Sequence, residues 1–105
     1  MSRPLALTPD ARADFDDAHA WYEAQRKGLG KRFRAAVRDC FRQIRRAPAS
    51  SQIVRPPDVR RAFVRGFPYV VIYRIAANGI RVISVFHTSR DPGRWQQRAD
   101  EDTDS

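Results

Sequence analysis

The stretch Tyr69–Phe86, YVVIYRIAANGIRVISVF, decides the fold. β-branched and aromatic residues flank Asn78-Gly79, and these two residue types tolerate the positive φ that the tightest two-residue turns demand, so a β-hairpin centred on them is expected. Tyr69, Val70, Val71, Ile72, Tyr73 and Ile75 precede the turn, and Ile80, Val82, Ile83, Val85 and Phe86 follow it. A half-exposed strand would alternate apolar with polar residues, whereas these arms are apolar on both faces. Both are expected in the middle of a covered sheet.

Upstream, Val59 to Arg65 sets Val59, Arg61, Phe63 and Arg65 against Arg60, Ala62 and Val64. That alternation predicts a third strand, entered from a Pro- and Ser-rich loop spanning Pro48 to Asp58. Further upstream the apolar period lengthens to 3.6. Thr8-Pro9 is a helix entry, with Thr8 as the cap and Pro9 in the first turn, where its missing N–H costs nothing. Ala11, Phe15, Ala18 and Tyr22 share one face that Trp21 broadens, and Asp10, Asp14, Asp16 and Asp17 put negative charge near the helix N-terminus. Gly28 and Gly30 bracket a break. Leu29, Phe33, Ala36, Val37, Cys40, Phe41, Ile44 and Ala47 then trace a second stripe that ends at Pro48. Leu5-Ala6-Leu7 is long enough for an edge strand, limited by Pro4.

The expected fold is therefore α+β: a short N-terminal strand, an antiparallel helical hairpin, then a three-stranded antiparallel meander, with the helices packed on one face of the sheet. One helical hairpin covers one face only. The other face is expected to stand open as a partly apolar surface rimmed by Arg61, Arg65, Arg74, Arg81 and Arg90, suited to a segment of another chain. Trp95 is expected as a lid on the core or as an anchor for that partner.

Length and charge narrow the class. The 105 residues, 42% of them apolar, suit one domain. No apolar run is long enough to cross a bilayer and no signal-peptide core follows Met1, so a cytoplasmic location is expected. Cys40 is the single cysteine and sits in an apolar stripe, which makes it a core thiol. Twenty basic against twelve acidic residues give a net +8. Four of the acids, Asp100, Glu101, Asp102 and Asp104, lie in the last six residues, leaving 1–98 at +12. Residues 1–98 read as the folded domain and 99–105 as a disordered acidic tail. A domain so basic attracts polyanions or an acidic protein. Lys31, Arg34, Arg38, Arg42, Arg45 and Arg46 add a cationic face to the second helix, with like charges at i,i+4 that are mildly unfavourable unless an anion joins them.

His87 beside Arg90 and Tyr73 has the chemistry of a general acid or base; alternatively it closes its strand by bonding to the loop that leads into Asp91-Pro92. Arg65 and Arg90 suit a carboxylate or a phosphate. No glycine-rich phosphate loop, no His or Cys pair at metal-ligand spacing and no nucleophile elbow occurs, so neither a metal nor a cofactor is expected.

In order and spacing, Leu7-Thr8-Pro9 before a helix containing Trp21-Tyr22, Phe67-Pro68-Tyr69 with Tyr73, and His87 to Arg90-Asp91-Pro92 with Trp95 resemble the ParE branch of the RelE/ParE toxin superfamily. The resemblance covers roughly residues 5 to 98. It implies the toxin of a type II toxin–antitoxin module of the plasmid-stabilising kind, neutralised by a cognate antitoxin whose C-terminal segment wraps it, and a poison of DNA gyrase that stabilises cleaved DNA and arrests growth. The RelE branch instead cleaves mRNA on the ribosome without a metal. Its pattern has basic residues where this sequence has Val70 and Thr88, and two lost cations cost several kcal/mol of transition-state stabilisation. Gyrase inhibition is therefore expected over RNA cleavage, so the chain is expected not to be an enzyme. Were it a ribonuclease, His87, Arg90, Arg65 and Tyr73 would carry the chemistry. A third reading is a non-toxic basic nucleic-acid-binding module, which would bind DNA with steep salt dependence and without gyrase.

Overall fold

Thr8 starts the first helix as its sequence dictates: its Oγ1 accepts the Ala11 N–H at 3.1 Å, and Pro9 occupies the first turn. In the computed structural model, which describes residues 3–102, a short strand β1 (Leu5–Leu7) leads into α1 (Pro9–Gln25) and then α2 (Leu29–Arg46). The hairpin between the helices is fastened by Glu23, whose carboxylate accepts the N–H groups of Gly28 and Gly30, both at 3.0 Å. Those backbone donors hold the Glu23 carboxyl below its usual range. Gly30 is needed for close approach, since a Cβ there would lie 2.8 Å from the His19 carbonyl oxygen.

The remaining strands are β2 (Gln52–Arg55), β3 (Val59–Phe63), β4 (Tyr69–Ala76) and β5 (Gly79–His87). They form an antiparallel meander, and β1 joins its far edge parallel to β5, giving the order β1-β5-β4-β3-β2. The sheet thus has five strands. The expected loop from Pro48 to Asp58 contains a short 3-10 turn, Pro48–Ser50, and then β2, whose four residues were too few to register as a period.

The β4–β5 hairpin forms, but its turn differs from the expected one. Ala76 pairs with Gly79, so the loop residues are Ala77 and Asn78, and Asn78 does not have positive φ. Gly79, at φ +153, opens β5 beneath β1: a Cβ there would meet the Pro4 carbonyl oxygen at 2.7 Å, and the next residue, Ile80, donates its N–H to that oxygen. Glycine is required here both by its positive φ at the start of β5 and by the contact with the neighbouring strand.

Two cores result. Under α1 and α2 lie Phe15, Tyr22, Phe33, Val37, Tyr69, Val71, Tyr73 and Val82, together with Cys40. On the opposite face Val59, Val70, Ile72, Ile83 and Phe86 pack against Trp95 and Ala99 of a third helix, α3 (Gly93–Glu101). This overturns the expectation of an open face, because the chain's own C-terminal helix covers it. The disordered tail expected from residue 99 is likewise corrected: the helix runs to Glu101, Ala99 is buried, and Asp102 bonds to Arg74 and Arg81. Residues 103–105, the rest of that tail, lie outside the described residues. Among the described residues no helix is long and apolar enough to cross a membrane.

Candidate partner-binding groove

With both faces covered, what stays accessible is the sheet's edges, β2 on one side and, on the other, the part of β5 that β1 does not reach. β1 pairs only with Ile80–Val82, after which Thr8 turns the chain into α1 and leaves β5 from Ile83 onward without a strand on the side away from β4. Opposite, the pairing skips a residue, with Ile72 against Ser84 and Tyr73 against Val82. Val85 consequently points its N–H outward, to Asp14 Oδ2 at 3.1 Å. Strand geometry turns the Val85 carbonyl and the His87 N–H to the same side.

A groove of about 800 Å³ runs along this edge, walled by α1 on one side and by α3 with the loop before it on the other. Asp10, Asp17 and Trp21 line the α1 wall, and Arg90 and Arg94 line the facing wall. One wall is acidic and aromatic, the other cationic. Trp21 does not broaden the core face as expected; it is 57% exposed at the groove. The stripe Ala11, Phe15, Ala18, Tyr22 is complete without it, and Trp21 stands about 100° away from Tyr22 around the helix.

At one end of the groove, Asp14 ties three elements together. Its carboxylate accepts from Ser84 Oγ (3.1 Å), from the Val85 N–H, and from Arg98 through Nη1 (2.6 Å) and Nη2 (3.1 Å). This bidentate pair raises the Arg98 pKa above its ordinary value. It fastens α3 to α1 around the sheet edge. At the other end His87 stacks edge-on against Tyr69, ring centres 5.1 Å apart, and its Nδ1 accepts the Ser89 N–H at 3.1 Å. That bond sets Nδ1 as an acceptor and pins the loop after β5. Asp91 caps the turn onto α3 by accepting the Gly93 N–H.

The expected site residues scatter. His87 and Arg90 meet in the groove. Tyr73 is fully buried and donates its hydroxyl to the Pro48 carbonyl at 2.6 Å, so it does not belong with them. Arg65 is exposed in the turn between β3 and β4. Arg61 lies over the exposed Phe63 ring, 4.9 Å from its centre, and bonds to Gln52. Arg74 and Arg81, expected to face a partner, instead grip the chain's own C-terminus: Arg74 bonds Asp58, Asp102 and the Ala99 carbonyl, and Arg81 bonds Asp102. Trp95 is buried under the sheet as a lid, not exposed as an anchor. Asp14, Arg94 and Arg98 were missed. Asp14 and Arg98 stand 84 positions apart, and no local pattern pairs them.

A family model described as the ParE toxin of type II toxin–antitoxin systems, parDE, matches residues 5–92. Among solved structures, one titled as the chromosomal ParDE TA system from P. aeruginosa superposes with a TM-score of 0.73 at 14% identity, over 84% of this chain and 98% of that one. That likeness shows a shared fold. No curated protein matches the sequence.

Proposed function

Since the chain belongs to the ParE toxin family of type II toxin–antitoxin systems, we propose that it arrests growth by poisoning DNA gyrase and is held inactive by a cognate antitoxin. What favours this over RNA cleavage is the fate of the two neutral positions. Val70 is buried on the α3 side of the sheet, so its side chain cannot reach the groove where His87 and Arg90 meet. Thr88 carries no charge. Two cations that metal-free cleavage would place at the scissile phosphate are therefore missing, and His87 is engaged with Ser89.

The antitoxin is assigned to the groove along β5. An extended segment there would find the Val85 carbonyl and the His87 N–H for main-chain bonds, Trp21 for an apolar side chain, and walls of opposite charge that fix its direction. Arg90 is the one expected partner residue that lies within it.

Expression of the chain without antitoxin should stop growth, and the purified protein should lower supercoiling by gyrase while cleaved DNA accumulates. Intact supercoiling together with ribosome-dependent cuts in mRNA would reverse the assignment. In the complex, hydrogen exchange should slow at Val85 to Arg90 and along α1 from Asp10 to Trp21; equal exchange there with and without antitoxin would remove the groove from the proposal.

A further inference from the structure

The structure sorts its charges. Asp58, Asp100 and Asp102 are engaged by Arg74, Arg55 and Arg81, and Asp10 and Asp14 by Arg98, so the arginines packed against the inner side of α3 are neutralised by the chain's own carboxylates, while Arg90 and Arg94 stay cationic at the groove. Much of the surplus that makes the chain +8 lies on α2. Lys31, Arg34, Arg38, Arg42 and Arg45 are all exposed on α2. At about 100° per residue they fall on an arc of about 80°, and at about 1.5 Å per residue they extend over about 21 Å. Asp39 pairs with Arg42, and Arg45 donates to the Arg3 carbonyl. Among the described residues no carboxylate comes within ion-pair distance of Lys31, Arg34 or Arg38.

We infer that this stripe is a docking surface for the phosphate backbone of duplex DNA. Guanidinium groups fit phosphate oxygens in pairs, and a straight row of them on a rigid helix matches a regular row of phosphates. An anion lying along the row relieves the repulsion that like charges four residues apart otherwise impose. Single-stranded nucleic acid is disfavoured because no aromatic ring stands among the five residues for bases to stack on. No α2 residue lines the groove, so a segment held there leaves the stripe uncovered. The inference goes beyond the gyrase proposal and does not need it, since binding is read with no gyrase present.

The test is fluorescence anisotropy of a short labelled duplex with the full chain. About four phosphate contacts give a slope near −4 of log affinity against log salt, a loss of about a hundredfold between about 50 and 200 mM. Arg34→Gln with Arg38→Gln should weaken binding by about tenfold or more and reduce the slope by about two. Arg32→Gln with Arg46→Gln removes the same charge from the other flank of the helix and should weaken it less than about threefold. Arg34→Lys with Arg38→Lys, which keeps the charge, should retain the slope and thereby separate loss of contact from loss of fold. Absence of binding at low salt, equal weakening by the two glutamine pairs, or competition by polyglutamate as effective as by DNA at equal charge would each overturn the inference, the last in favour of an acidic protein.

Discussion

Replacing Asp14 tests the architecture at its most demanding joint. Its carboxylate takes four hydrogen bonds, one from the Val85 backbone, one from Ser84 and two from Arg98. The Asp14→Ala change leaves the Val85 N–H without its acceptor and leaves Arg98, 24% exposed, with the mostly exposed Asp10 at 3.8 Å as its remaining carboxylate and only long neutral contacts to the Ser84 hydroxyl at 3.3 Å and the Ile83 carbonyl at 3.5 Å. Breaking a buried pair costs about 3–5 kcal/mol. Here a fifth to a quarter of each side chain remains wet, and solvent screening brings the cost to about 2–3 kcal/mol. For a domain of this size that corresponds to a fall in Tm of about 10–20 °C. Asp14→Asn keeps an oxygen for Val85 and loses the charge, so it should cost about 1–2 kcal/mol. Thermal and urea unfolding of both variants, of Arg98→Gln and of the double variant Asp14→Asn with Arg98→Gln measures the coupling directly. It should be about 1–3 kcal/mol. A Tm change below about 3 °C for Asp14→Ala, or coupling indistinguishable from zero, would refute the claim that this pair binds α3 to α1.

Three more outcomes follow from single contacts. Burial pushes the Cys40 thiol up to about 11 from an ordinary 9.0. Because the unfolded thiol ionises first, its contribution is intact below about pH 9 and is lost as pH climbs toward 11, about 2–3 kcal/mol in all; a Cys40→Ala chain whose unfolding free energy falls as steeply across that window would exclude the thiol as the cause. Gly30→Ala places a Cβ 2.8 Å from the His19 carbonyl and should destabilise by about 1–3 kcal/mol, checked by urea midpoints, with an unchanged midpoint contradicting the tight helix contact. Asp102→Asn removes the carboxylate between Arg74 and Arg81, which stand opposite each other on β4 and β5; about 1–2 kcal/mol should be lost, and a variant as stable as the parent would show the arginines are adequately solvated without it.

What could be read in advance was what local chemistry determines. Thr8 and Pro9 mark the start of α1, the two helical stripes mark their buried faces, and the apolar arms of the hairpin mark the centre of the sheet. β2 escaped because QIVR is four residues long and is followed by Pro56 and Pro57. α3 escaped because its surface is charged and only Trp95 and Ala99, one turn apart, face inward; two of the acids that suggested a solvated tail, Asp100 and Asp102, are bonded to arginines from β2, β4 and β5. The groove was hidden for a different reason. Its members come from α1, β5 and the C-terminal segment, and only the early end of β1, three residues in, makes that strand edge available at all.

The apolar character of both hairpin arms nonetheless implied α3. Val59, Val70, Ile72, Ile83 and Phe86 left in water would forfeit about 1.5–3 kcal/mol each, together about as much as the whole net stability of a domain this size. A chain that folds alone cannot leave them bare. The helical hairpin was already committed to the other face, so the cover had to come from a second copy, from a partner, or from the one long segment still unassigned, Gly93 onward. Trp95 and Ala99 at i,i+4 supply that cover, and the arginines thought to await a partner are drawn into holding it down. The consequence for function is geometric. With both faces of the sheet committed, a partner that seeks main-chain bonds is left the sheet edges, and the free stretch of β5 is the edge that runs between the acidic wall of α1 and the cationic wall of Arg90 and Arg94, while the unpaired charge of α2 stays free for a different ligand.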